Sequence, residues 1–275
     1  MGIITISREM GSGGIPIAHK AAEKLGYTLI DGEAIAKVAP SYGLTLEALE
    51  KADEKPPAFV EKLDEQSEVD LHHIELIILD YALKGNIIIY GRGGQDLLKD
   101  IQSVLRVRII APFDLRIERW AEREWLDPDL ARILVRKSDQ QRAGFIKYYF
   151  DRDWEDPLGY DLVINTERLS EEAAVKVICD AVKDKNLVEQ KGNSKKILSD
   201  LILRKKAEVA VLSSPEVEAH HMEIAVETAA ATLSGHVHSE QERREALRLV
   251  GKVAGVKEVI DHLKVIEYRT FPGEN

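Results

Sequence analysis

The chain has 275 residues, 44% of them apolar and 31% charged, and a formal net charge of −10. That length suits one large domain or two modest ones with a full core. The acidic balance disfavours non-specific nucleic-acid binding, and no apolar run is long enough to span a bilayer. A single cysteine, Cys179, excludes an internal disulfide and fits a reducing compartment. It sits in an apolar helical pattern and reads as a packing residue. The N-terminus enters a strand with no basic and apolar leader regions, so a cytoplasmic location is expected.

An apolar β-prone run starting at Ile3 ends abruptly in Gly11-Ser12-Gly13-Gly14. A helix follows, with Ala18, Ala21, Ala22 and Leu25 on one face and Gly26 as its stop. Tyr27–Ile30 reads as a short strand ending at Asp31, and helices are expected at about 33–39, 45–53 and 57–66. A longer helix runs through Val69, Ile74, Ile77, Ile78 and Tyr81 to Gly85. Asn86–Tyr90 is an unbroken apolar run, as in a buried parallel strand, and it ends in Gly91-Arg92-Gly93-Gly94. Val104–Ile110 is a strand whose Arg106 and Arg108 suggest one polar face. Phe113–Glu124 reads as a helix, 128–150 as a long helix or helix pair, and Tyr160–Ile164 as a strand. Ser170 then caps a final helix.

Composition turns polar at about 184–196, which reads as a linker. Beyond it the order changes to helix (Ile197–Leu212), strands (Met222–Thr228 and Ala230–Val237), helix (Glu240–Val253) and strand (Val256–Ile266). The expected fold class is therefore α/β, a parallel sheet with helices on both faces, plus a small α+β domain of order αββαβ. The expected units are 1–185, a linker 186–196, and 197–267, with a frayed tail.

Strand, glycine loop and helix together build a phosphate cradle, because small residues let N–H groups turn inward and a helix N-terminus favours an anion. The stretch Ser7–Gly14 fits that description, with Gly11, Ser12, Gly13 and Gly14 as phosphate contacts. It lacks the Lys and Ser/Thr of the GxxxxGK[ST] pattern, and Gly14, Ile15 and Pro16 stand where they are sought. Arg8 is the nearest substitute cation, or else the partner of Glu9. Asp31 and Glu33 are candidate acceptors for a ligand, or a helix cap. Arg92, between glycines after a buried strand, suits a bidentate clamp on phosphate. Arg116, Arg119 and Arg123 share one helix face and read as scaffold; Arg132, Arg136 and Arg142 are the preferred cations to close over a triphosphate. His236 and His238 share a strand face and are a weak metal pair, while the adjacent pairs His72-His73 and His220-His221 do not face one ligand easily. Metal ligands are not assigned.

These stretches resemble a family. ITISREMGSGG at 4–14, AEKLGY at 22–27 followed by Asp31, IIIYGRGG at 87–94, RVRIIAPFDLRIER at 106–119 and YDLVINTERL at 160–169 are similar to the cytidylate kinase-like family, within the P-loop nucleoside monophosphate kinases. The resemblance covers about 1–185. It implies a core parallel sheet, with ATP and Mg2+ on the donor side and a nucleoside monophosphate, CMP foremost, as acceptor, and the expected protein is a bacterial phosphotransferase. Carried over by position, Gly11–Gly14 hold donor phosphates, Asp31 and Arg92 hold the acceptor, and Arg132, Arg136 and Arg142 belong to a lid. The chain departs at Ile15-Pro16, where the family commonly carries Arg-Glu. Residues 224–265 resemble the BON domain, which implies lipid or small-ligand contact and, on a kinase-like chain, a regulatory or tethering role.

Overall fold

A computed structural model describes residues 2–51 and 65–266. The first part alternates strand and helix. Its elements are β1 (Ile3–Arg8), α1 (Gly14–Leu25), β2 (Thr28–Ile30), α2 (Gly32–Val38), α3 (Leu46–Lys51), α4 (Glu65–Lys84), β3 (Ile87–Tyr90), α5 (Gly94–Leu97) and β4 (Val104–Ile110). These are followed by α6 (Phe113–Glu124), α7 (Pro128–Phe150), β5 (Leu162–Asn165) and α8 (Glu171–Ala181). The region 128–150 is thus one continuous helix. Most of the helix expected at 57–66, and the tail at 267–275, lie outside the described residues.

The five strands form a parallel sheet in the order β2-β3-β1-β4-β5. Strand side chains alternate between faces, and the two cores divide accordingly. Ile4, Ile6, Ile88, Val107 and Ile109 meet Ile17 and Ala21 of α1 and Val175 and Ile178 of α8. Cys179 is buried in this same layer, and burial pushes its thiol above the ordinary value. Ile3, Ile87, Ile89 and Val104 face the other way, against Ile74, Ile77 and Ile78 of α4. The sheet therefore carries helices on both faces, as its unbroken apolar strands require. Because β1 lies between β3 and β4, the chain reverses direction across the sheet there. The carboxyl end of β1 is the place where such a sheet binds ligands.

The C-terminal part has α9 (Lys185–Glu189), α10 (Lys191–Leu212), β6 (Met222–Glu227), β7 (Ala230–Val237), α11 (Glu240–Gly251) and β8 (Glu258–Val265). Its separate sheet runs β6-β7-β8, antiparallel then parallel. The hairpin turn places Thr228 (φ 53) and Ala229 (φ 64) in the left-handed region. Two such residues match the twist of a two-residue hairpin. Their N–H groups both donate to the Asp200 carboxylate of α10 at 2.9 Å, which secures a conformation these residue types rarely adopt.

The segment 186–196, expected as a linker, is helical. Lys and Asn lower its apolar content, but Asp184 caps α9, and α10 then runs unbroken into the second domain. Leu198 and Ile202 of α10 join the first core, whereas Ala207 and Val211 join the second, with Leu233, Val237 and Val250. One helix thus contributes to two cores. Where it crosses α4, Lys205 is buried beside Glu75 and Glu208, each at 2.8 Å.

Candidate functional site

The glycine loop follows β1 and is anchored from three directions. Gly11 (φ 80) and Gly13 (φ 84) take left-handed conformations. A Cβ on Gly11 would stand 2.5 Å from the Arg116 carbonyl oxygen, so the position also demands glycine sterically. Arg116 donates to the carbonyls of Ala111 (2.9 Å) and Met10 (3.1 Å) and to Asp139 (2.6 Å). The Met10 N–H donates to the other Asp139 oxygen at 3.1 Å. Thr166 donates to the Ser12 carbonyl at 2.8 Å. The Ser12 hydroxyl, fully buried, donates to the Glu9 carbonyl at 2.8 Å. Glu9 accepts from the Ala111 N–H and lies 3.2 Å from the Arg116 Nε. Burial raises the Glu9 carboxyl above its ordinary value, and Arg116 works against that.

Helix α1 begins at Gly14, with Gly13 as its cap and no side-chain cap bond. The first N–H groups of a helix lack partners within it and are directed out of its N-terminal end. Pro16 gives up one of these donors, and Ile15 projects with 42% of its surface exposed. The cavity here has a volume of about 530 Å3 and is lined by the loop together with Arg8, Arg119, Arg123 and Arg142. Arg119 is oriented by Thr166, donating to its hydroxyl (3.0 Å) and carbonyl (2.9 Å). The Arg123 guanidinium lies 4.2 Å from the centroid of Trp120, which also lines the cavity. Arg142 is 3.9 Å from Asp139, the residue that also holds the loop.

A second cavity of about 250 Å3 adjoins the first and is lined by Arg8, His19, Asp31, Glu33, Tyr90 and Arg92. Asp31 caps α2, accepting from the Ala34 N–H at 2.9 Å, so the capping and the cavity-lining readings coexist. Gly91, Arg92 and Gly93 have φ values of 74, 57 and 65, three left-handed residues in succession. Such a run carries strain at the non-glycine Arg92, and strain of this kind gathers at ligand clamps. A Cβ on Gly93 would stand 2.6 Å from the Phe150 ring. Arg8 lines both cavities, with its guanidinium 4.2 Å from the Tyr90 ring centroid.

Of the three preferred cations, only Arg142 lines the loop cavity, as does the substitute cation Arg8; Arg132 and Arg136 line neither cavity. The last two lie 5.7 and 5.5 Å from the Phe113 ring centroid, and Arg132 is 3.4 Å from Asp114. Arg119 and Arg123, read as scaffold, line the cavity instead, while Arg116 does serve as scaffold. The shared face of α6 is what signalled them; the fold decides which turn meets the loop. Tyr90, Trp120 and Trp154 were not singled out from the sequence. Trp154 is buried under β4, donates to Ser7 at 2.8 Å and is stacked on by Arg108, 4.0 Å from its ring centroid. Its signal is a lone tryptophan in the polar connection before β5. His221 stacks on His236 with ring centroids 4.5 Å apart. Among the described residues no group of three or more His, Cys, Asp or Glu is placed to hold a metal ion.

The model of the cytidylate kinase-like family matches residues 3–168. The chain belongs to this family. The BON domain model matches residues 199–267. A cytidylate kinase of Natronomonas pharaonis is 30% identical over 181 residues, which cover 66% of this chain and 88% of that protein. One from Archaeoglobus fulgidus is 30% identical over 191 residues, covering 68% and 99%. Among solved structures, an uncharacterized protein from Eubacterium ventriosum superposes with a TM-score of 0.55 at 24% identity, over 67% of this chain and all of that one. The N-terminal domain thus has a cytidylate kinase-like, nucleoside monophosphate kinase fold, and membership implies use of a nucleotide. No helix among the described residues is long and apolar enough to cross a membrane.

Proposed function

We propose that the chain transfers the γ-phosphoryl group of ATP to a nucleoside monophosphate, CMP foremost, by in-line displacement. The observation that carries this reading is Arg8, which lines both the loop cavity and the smaller cavity of Asp31 and Arg92. A phosphoryl group passing between two substrates needs a cation at their junction, since catalysis here is positioning and charge neutralisation. Gly11, Ser12, Gly13 and Gly14 take the donor phosphates. Arg119 and Arg142 approach them from the α6–α7 side, and Trp120 with Arg123 offers a flat surface for the base. Asp31 and Arg92 hold the acceptor.

The loop gives magnesium no side-chain oxygen of the usual kind. Ser12 is buried and bonded to Glu9, and positions 15 and 16 are apolar. Magnesium would have to enter with the nucleotide, with phosphate oxygens and water supplying the ligands that the loop does not. A coupled ADP-release assay with CMP, dCMP and UMP at saturating ATP and magnesium tests the reading, and turnover no higher than background refutes it.

A second reading is a nucleotide-binding regulator without catalysis, its output delivered by the C-terminal domain. Exposed Ile15 beside the cavity favours it, as does α10, which joins both cores. It expects ATP or CMP to raise the melting temperature with no phosphoryl transfer. On either reading, residues 1–185 and 197–267 are the two proposed units, meeting along α10. The second is regulatory or tethering, and co-sedimentation of the full chain with liposomes tests a lipid contact.

A further inference from the structure

A third cavity, of about 570 Å3, lies between the two domains, within the size range of small-molecule sites. Its walls come from the α5 end (Asp96, Asp100), the α7 end (Tyr149, Phe150), α10 (Leu201) and β6 (Glu227). Nothing in the proposed phosphoryl transfer uses it.

The charges on its walls are unequally engaged. Lys205 is shared between Glu75 and Glu208, both at 2.8 Å, and the Arg204 Nε lies 3.3 Å from Glu208. Among the remaining lining cations there is Lys99. On the acidic side Asp200 is committed to the hairpin N–H groups. That leaves Asp96, Asp100 and Glu227 facing the cavity against one lysine. Asp96 is 8% exposed, bonded to the Gln95 amide at 2.8 Å, with Arg152 no nearer than 3.9 Å. Burial pushes its carboxyl above the ordinary value, outweighing the pull of Gln95, Arg152 and Lys99. Between the acids the walls are apolar or aromatic: Leu97, Ile101, Val226 and the rings of Tyr149 and Phe150.

From this alternation of carboxylates with aliphatic and aromatic surface, we propose that the inter-domain cavity binds a diamine or polyamine. Ammonium groups meet the carboxylates and the ring faces, and the methylene spacer covers the aliphatic wall. The ligand would touch α5, which is capped by Gly93 of the Arg92 loop, and the end of α7, which carries Arg142. It is therefore placed to report on both halves of the phosphate site.

Isothermal titration of the full chain with spermidine and putrescine, without nucleotide, tests this. Sodium chloride at matched ionic strength and magnesium chloride are the controls. Saturable binding of spermidine to one site is expected. The double variant Asp100→Asn with Glu227→Gln removes two carboxylates and should weaken it about tenfold or more. Both residues lie at the exposed rim, so the variant keeps the fold. Spermidine heats no different from the salt controls, or affinity unchanged in the variant, overturn the proposal. The readout is independent of phosphoryl transfer, so failure here leaves that reading untouched, and failure of that reading leaves this one testable.

Discussion

Replacing Lys205 with methionine should destabilise the chain by about 3–5 kcal/mol at neutral pH, the usual cost of removing one partner from a buried ion pair. In the native state burial alone would raise the Glu75 carboxyl, but Lys205 at 2.8 Å, with His72 at 3.0 Å, outweighs it and holds the group at about 2, from 4.5. A folded value below the unfolded one contributes stability that is present above pH 4.5 and lost as pH falls toward 2. In Lys205→Met the desolvation remains and only His72 still opposes it, so the Glu75 value is expected to rise past its unfolded one. The sign then reverses, and the variant should be more stable at pH 5 than at pH 7. Urea unfolding at the two pH values, on wild type and variant, reads both effects. A loss under about 1 kcal/mol at pH 7, or parallel pH profiles, would refute the claim that this pair sets the electrostatics of the α4–α10 crossing.

Three further outcomes test the phosphate site. Arg142→Ala should lower kcat/KM on the order of a hundredfold, the usual effect of losing one pre-organised charge contact, whereas Arg132→Ala and Arg136→Ala should stay within about threefold in the ADP-release assay. Ile15→Arg should tighten ATP binding about tenfold, since one charge-assisted hydrogen bond contributes roughly 1.5–3 kcal/mol; titration calorimetry with ATP and magnesium that finds no gain would show that the absent cation is not the functional variable. Gly11→Ala meets a carbonyl at 2.5 Å and a φ of 80; it should cost about 1–3 kcal/mol and abolish the nucleotide-induced rise in melting temperature.

The layered sheet was legible because its signals are local. The apolar runs at 3–6 and 87–89 alternate between two cores, and glycines stand at the strand ends where the chain turns. The loop and the Asp31 and Arg92 positions were legible for the same reason, since each directly follows a strand. The choice among arginines was not. Arg119 and Arg136 both lie on charged helices, and only the packing of Ile117 and Ala121 against Ala131 and Val135 decides which turn meets the cavity. The stretch 186–196 misled because polar composition reads as a connector, whereas the helix it forms is buried further along, at Leu198 and Ile202. Trp154 was missed because its partners, Ser7 and Arg108, are distant in sequence.

The apolar pair at 15–16 changes where positive charge must come from. A basic residue there would sit on α1 and be fixed to the loop whatever the rest of the site did. In this chain the arginines beside the loop belong to β1 and to the α6–α7 hairpin. That hairpin is tied to the loop by Asp139, which receives both the Met10 N–H and Arg116. Loop geometry and the placement of Arg142 therefore depend on the same carboxylate. On the proposed reading, a triphosphate would meet backbone N–H groups of α1 together with arginines carried by the α6–α7 hairpin, so its affinity would depend on the packing that holds the hairpin to the loop. The same helix α7 ends at Phe150, against Gly93 of the Arg92 loop and on the wall of the inter-domain cavity. On the proposed reading, α7 carries Arg142 at the loop cavity and, about two turns further on, Phe150 at Gly93 and the inter-domain cavity, so a change at that cavity would reach both parts of the phosphate site.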